Sequence, residues 1–214
     1  MPRTRTTPFL LTDPAMVRAL ASPARQEIVD ALQAAGPRTI AELAVLVARP
    51  ADSLYFHVRS LMKVGLVVER GARREGPGGR HVAAVYGLAA GPLVMSYDAP
   101  VRRGDVGRVV ASAVRLALRD FQHGLATETV TAGPSRTVRG GRSKGWLTPA
   151  EVRRLNAIIS EAQEILHAGR PRKGARCMSL GFVLAPARAK QRGSGKKKAS
   201  TPESGAGDNS TGEA

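Results

Sequence analysis

A mainly α-helical fold carrying a small β-hairpin is what this sequence predicts, on three observations. Residues 39–66 (TIAELAVLVARPADSLYFHVRSLMKVGL) hold two short helical patterns separated by a break at Arg49 and Pro50. Residues 67–88 follow as an apolar strand, a glycine-rich basic loop and a returning strand. Across all 214 residues, 33 lysines and arginines stand against 17 acids, a net charge of +16 that favours polyanionic partners.

Residues 1–12 read as a loose arm with Arg3 and Arg5, ending in the apolar patch Phe9–Leu11 that packs on the body. Asp13 followed by Pro14 is a helix start, a capping carboxylate before a proline that needs no backbone N–H, and Met16, Val17 and Leu20 form its buried side. Ser22 and Pro23 repeat the signal. The next helix runs to about Ala35, with Ile28, Val29 and Leu32 inward, and Gly36-Pro37 stops it.

Thr39 and Glu42 are spaced as a capping box for the first helix of the central pair, whose apolar side is Ile40, Leu43, Leu46 and Val47. The second helix places Leu54, Val58, Leu61 and Val64 on one face, and Gly65 closes it in the left-handed region. Val67–Arg70 is a strand, Gly71–Gly79 a loop carrying Arg73 and Arg74, and His81–Leu88 a strand with Val82, Ala84, Tyr86 and Leu88 alternating. Helix, turn, helix and basic-tipped hairpin together make a winged helix-turn-helix over residues 13–90. A plain helical hairpin inside a core is the competing reading of the two helices alone.

The stretches Leu20–Arg25 (LASPAR), Ile40–Leu43 (IAEL) and residues 55–67 (YFHVRSLMKVGLV) resemble the ArsR-type winged-helix repressors, over roughly residues 13–90. The resemblance implies a homodimer, the second motif helix of each protomer in a major groove, and the wing beside a minor groove. It also implies a repressor. Many such repressors sense metals through cysteines in the first motif helix. The matching stretch, Glu42–Ala48 (ELAVLVA), has none, so metal sensing by that route does not carry over.

With Leu54, Val58 and Leu61 inward, the second motif helix turns Asp52, Ser53, Tyr55, Phe56 and Arg59 outward as candidate DNA contacts. Ser53 and Arg59 donate to phosphates or base edges, and an arginine can fork onto guanine. Tyr55 and Phe56 have two readings, a ring against a thymine methyl or a ring packed under the wing. His57 reads as a partly buried orienting residue or a phosphate donor, and Asp52 as a charge that suits the positive end of its helix. Thr39 joins the set from the first motif helix, and Arg73, Arg74 and Arg80 join it from the wing, where glycines let guanidinium groups reach backbone or a narrow minor groove.

Residues 91–185 are expected to dimerise, to sense an unidentified small-molecule effector, or both. Their elements are a connector with a short strand at Leu93–Tyr97 and a helix from about Asp105 to His123. That helix carries the stripe Val106, Val109, Val110, Ala113, Val114, Ala117 and Phe121, with Arg108, Arg115 and Arg119 outside it. A mobile loop follows at 126–145. Leu147, Thr148, Pro149, Glu151 and Val152 then start a helix to about His167, with Leu155, Ile158, Ile159, Ala162, Ile165 and Leu166 inward. Residues 176–185 (RCMSLGFVLA) read as a strand pairing near Val94, and 186–214 as a disordered basic tail.

Positive charge is not confined to that tail: 12 basic against 7 acidic side chains fall in residues 1–90, 15 against 7 in 91–185, and 6 against 3 in 186–214. Cys177 is the lone cysteine, so no internal disulfide framework exists, and its apolar setting predicts a small buried residue. No apolar run reaches the ~18 residues of a membrane span and no signal-peptide core stands at the amino terminus, so a cytoplasmic protein without a membrane partner is expected. The histidines at 57, 81, 123 and 167 lack metal-type spacing, no catalytic constellation is present, and neither metal, cofactor nor enzymatic activity is expected. The leading function is a sequence-specific regulator of double-stranded DNA. The alternatives are a protein-interaction module built on the same fold and a sequence-tolerant nucleic-acid binder.

Overall fold

The computed structural model describes residues 9–76, 78, 80–95, 97, 100–128 and 132–187. The chain forms two units, Met1–Val183 and Leu184–Ala214; residues 184–187 of the second have neither helix nor strand, and every element below belongs to the first. Residues 1–8 of the expected arm and 188–214 of the expected tail lie outside the described residues.

The local start and stop signals act as the side chains dictate. Asp13 caps α1 (Pro14–Leu20) by accepting the Ala15 N–H at 2.7 Å. In α2 (Pro23–Ala35), Pro23 opens the helix and Gly36, at φ 79°, ends it. Thr39 and Glu42 close a reciprocal capping box on α3 (Ile40–Leu46). After α4 (Ala51–Lys63), the Gly65 N–H donates to the Met62 carbonyl and the Leu66 N–H to the Leu61 carbonyl, at 2.9 and 3.0 Å, with Gly65 at φ 73°. That is a Schellman closure, and Leu61 and Leu66, the apolar pair that accompanies it, are both buried in one core.

One core holds these helices together. Val17 and Leu20 of α1, Ile28, Val29 and Leu32 of α2, Ile40 and Leu43 of α3, and Leu54, Val58 and Leu61 of α4 meet Leu66 and Val67 in it. Full burial of each such aliphatic side chain contributes about 1.5–3 kcal/mol. Val109 of α5 (Arg103–Thr127) belongs to the same core, so the long helix is built into the motif's foundation.

β2 (Arg38–Thr39), β4 (His81–Leu88) and β3 (Val67–Glu75) form an antiparallel sheet in the order β2-β4-β3. The β3–β4 register runs from Val67 opposite Leu88 to Glu69 opposite Tyr86, shifts across residues 70 and 71, and resumes from Ala72 opposite Ala84 to Glu75 opposite His81. Gly71, at φ 111°, accommodates this bulge. The molecule is a mainly α winged helix with a small β wing.

Several long-range expectations are corrected. The break between α3 and α4 spans 47–50 and includes Ala48 at φ 51°, while Leu46 is exposed where an inward residue was expected. β3 reaches Glu75, which places Arg73 and Arg74 on a strand instead of in a loop. β5 (Leu93–Met95) pairs in parallel with β1 (Phe9–Leu11), and residues 176–185 form no strand. Phe9–Leu11, not the later segment, is the strand that meets the backbone groups near Val94. Cys177 is exposed, not buried.

α5 extends beyond the expected limits, and its inward line is Asp105, Val109 and Ser112, while Val114 of the expected stripe is exposed. Arg108 and Arg119 are exposed outside the stripe as expected, and both are paired: the first with Asp105, the second with Glu27 of α2 and with Asp120. Residues 126 and 127 of the expected loop end α5, and the rest of the 126–145 stretch lacks helix and strand where it is described, yet its Val138 is buried beside Gly124 of α5. α6 (Pro149–Ala168) begins at the expected Thr148–Glu151 capping box but buries none of its residues; Ile158 and Ile165 are exposed. Among the described residues, no helix is long and apolar enough to cross a membrane.

Candidate nucleic-acid interface

Helix α4 carries the site because its two faces differ completely. Leu54, Val58 and Leu61 are at most 1% exposed, which fixes the helix against α1–α3, and the opposite side is left to solvent. On that side Asp52, Ser53, Tyr55, Phe56 and Arg59 are all exposed, as their spacing predicts. Phe56, at 70% exposure, is a large apolar ring held in water and in edge contact with His57, the ring centroids 5.5 Å apart. A ring so placed carries a cost that a thymine methyl or another apolar partner would offset.

The remaining α4 residues have local roles that set this face. Pro50 precedes the helix without a side-chain cap, and the Ser53 hydroxyl donates to the Pro50 carbonyl at 2.8 Å. Asp52 lies in the first turn, where its charge suits the helix dipole. The Tyr86 phenol of β4 is held above its usual pKa, first by burial and then by Glu69 and Tyr55, with Arg59 opposing. Tyr55 is half exposed, so neither aromatic is buried under the wing.

His57 is part-buried, and its Nδ1 is shielded from solvent without a hydrogen-bond partner. Burial, then Arg25 and Arg49, hold its pKa below the ordinary histidine value, so it is a neutral imidazole near pH 7 and a poor phosphate cation.

Thr39 corrects the expected contact set most clearly. It is fully buried; its Oγ1 donates to Glu75 Oε1 at 2.6 Å and accepts the Glu42 N–H at 3.3 Å, while its own N–H donates to Glu42 Oε2 at 2.9 Å. DNA cannot reach it. Arg73 is tied into the same knot, its Nη1 2.6 Å from Glu42 Oε1, so it pins β3 to the start of α3 and reaches a phosphate only by sharing that carboxylate. Arg74 and Arg80 are exposed on the wing, on β3 and just before β4.

One exposed cation on the outward face falls outside the expected set. Lys63 stands four residues after Arg59 and seven after Phe56, so all three share one side of α4. The helical spacing carried this signal, and the closeness of Lys63 to the helix end hid it.

Residues 20–70 match a family model described as a helix-turn-helix domain. The match runs from the last residue of α1 through α4 into β3, so it contains the helix pair and its outward face and stops before β4. No curated protein matches the chain. In a helix-turn-helix the second helix is the one that enters a major groove, and here that helix is α4. Among the described residues, no group of three or more His, Cys, Asp or Glu side chains could hold a metal ion.

Proposed function

We propose that the protein is a sequence-specific, DNA-binding transcriptional regulator of the ArsR type, a cytoplasmic homodimer acting as a repressor without catalytic activity. One observation carries the DNA reading: within the matched helix-turn-helix, α4 buries Leu54, Val58 and Leu61 and offers Phe56, Arg59 and Lys63 to solvent on a single face. The net charge of +16 captures DNA, phosphate contacts set the register, and Arg59 with the α4 rings reads base edges.

The homodimer is supported by apolar residues exposed on the two long helices, Val114, Leu118 and Leu125 on α5 and Ile158 and Ile165 on α6, more than an isolated chain needs to leave in water. The test is to incubate the purified protein with sheared genomic DNA near physiological salt and sequence the bound fragments. A shared palindrome with half-sites about one helical turn apart supports the reading. Fragments recovered at random rule out sequence-specific regulation and leave charge-driven binding. Arg59→Ala should weaken binding to the selected site about tenfold or more and relax the preference among sites, as expected for loss of a bidentate base contact.

A further inference from the structure

A concavity of about 360 Å³ lies between α1, α2 and the C-terminal half of α4. Its polar lining is Arg18 of α1, Arg25 of α2, and Ser60 and Lys63 of α4; the other lining residues are two alanines and a valine, and no carboxylate is among them. Arg18, Arg25 and Lys63 are in no ion pair among the described residues, so no carboxylate neutralises the three cations that the concavity gathers. The Nε of Arg25 is shielded from solvent without a hydrogen-bond partner, so the lining position of this side chain leaves its charge incompletely solvated.

From this we infer that the α1–α2–α4 concavity is a phosphate-binding site. Cations of one sign around a concave, partly apolar wall focus the potential, and guanidinium groups match the oxygens of a tetrahedral dianion. The Ser60 hydroxyl already donates to the Phe56 carbonyl at 2.9 Å, so the donors come from the three cations. Lys63 sits both at the concavity and on the outward face of α4, so a DNA strand lying along Phe56 and Arg59 runs to its mouth. The phosphate is therefore one of the DNA backbone, an assignment that rests on the DNA reading above.

The test is the double variant R18Q/K63Q, with R25Q alone as a second variant. Arg18 and Lys63 are exposed, so the double variant should melt with the parent. Binding to several duplexes is followed by fluorescence anisotropy over a range of salt. Expected for the double variant are affinity about tenfold lower on every duplex alike, and a plot of log Kd against log salt shallower by about one to two units. R25Q should shift both in the same direction. A double variant with the parent's affinity and slope overturns the proposal and removes Lys63 from the DNA face, while the DNA reading then stands on the loss of binding in Arg59→Ala. If the parent binds no duplex at all, the DNA reading fails, and calorimetric titration with inorganic pyrophosphate decides the site by itself. Binding to the parent that the double variant loses upholds a phosphate site for a free ligand, and no binding to the parent overturns it.

Discussion

Helices α4 and α6 are both amphipathic, and only α4 has its apolar side fully covered. Along α4, Leu54, Val58 and Leu61 vanish into a core shared with four other helices; along α6, Leu155, Ile158, Ile159, Ala162, Ile165 and Leu166 follow an equally regular spacing, and none is buried. Periodicity says which side of a helix avoids water. It does not say what covers that side, because the cover is a tertiary or quaternary fact.

The largest expected effect breaks this comparison open. Leu54→Ala or Leu61→Ala should cost about 2–5 kcal/mol of unfolding free energy, since the transfer term and the cavity add. Ile158→Ala should cost no more than about 0.5 kcal/mol in a dilute, monomeric sample, as expected of an exposed site. Urea titrations at low protein concentration measure both. If a second copy covers α6, the Ile158→Ala cost grows as protein concentration rises and the parent's Tm climbs with it. A Tm independent of concentration removes the second copy as the cover.

The same contrast explains what was legible in the residues. Asp13, the Thr39–Glu42 and Thr148–Glu151 boxes, Gly36 and Gly65 act within a few positions of themselves, and each fixed its helix end as expected. The outward face of α4 was legible for the same reason. What sequence spacing could not reveal joins distant segments: the parallel β1–β5 pair, Glu27 held by both Arg49 and Arg119, and Glu75 of the wing reaching back to Thr39. Residues 176–185 alternate like a strand but join neither sheet, since propensity reports fitness for a sheet and not pairing with one.

Smaller effects separate structural from contact residues. Gly65→Ala meets only Met16 Cε at an ordinary 3.6 Å, so its cost is the left-handed backbone at φ 73°, about 1–2 kcal/mol, read from urea midpoints. Thr39→Val removes a buried hydrogen bond and half of the α3 capping box, for about 1–2 kcal/mol. Its DNA affinity, measured by anisotropy where the variant is fully folded, should equal the parent's. A tenfold loss there would return Thr39 to the contact set.

The smallest effect concerns the acidic corner where α2 meets α5. Glu27 is buried and held by Arg49 and Arg119, and Arg119 also holds Asp120. Asp30, one turn along α2 from Glu27, makes no ion pair among the described residues. Crowding by the surrounding chain, then Asp120 and Glu27, push its pKa up to about 7. The sign follows from linkage: the unfolded chain gives up this proton near pH 4 and the folded chain near 7, so stability falls as pH rises through that window and levels off above it. Asp30 is exposed along part of its surface, so solvent screens the interaction and the change is small. Asp30→Asn removes the titration. Its urea midpoint should therefore gain on the parent's between pH 4 and pH 8, and a gap that stays constant across that range would mean that Asp30 titrates as an ordinary surface carboxylate.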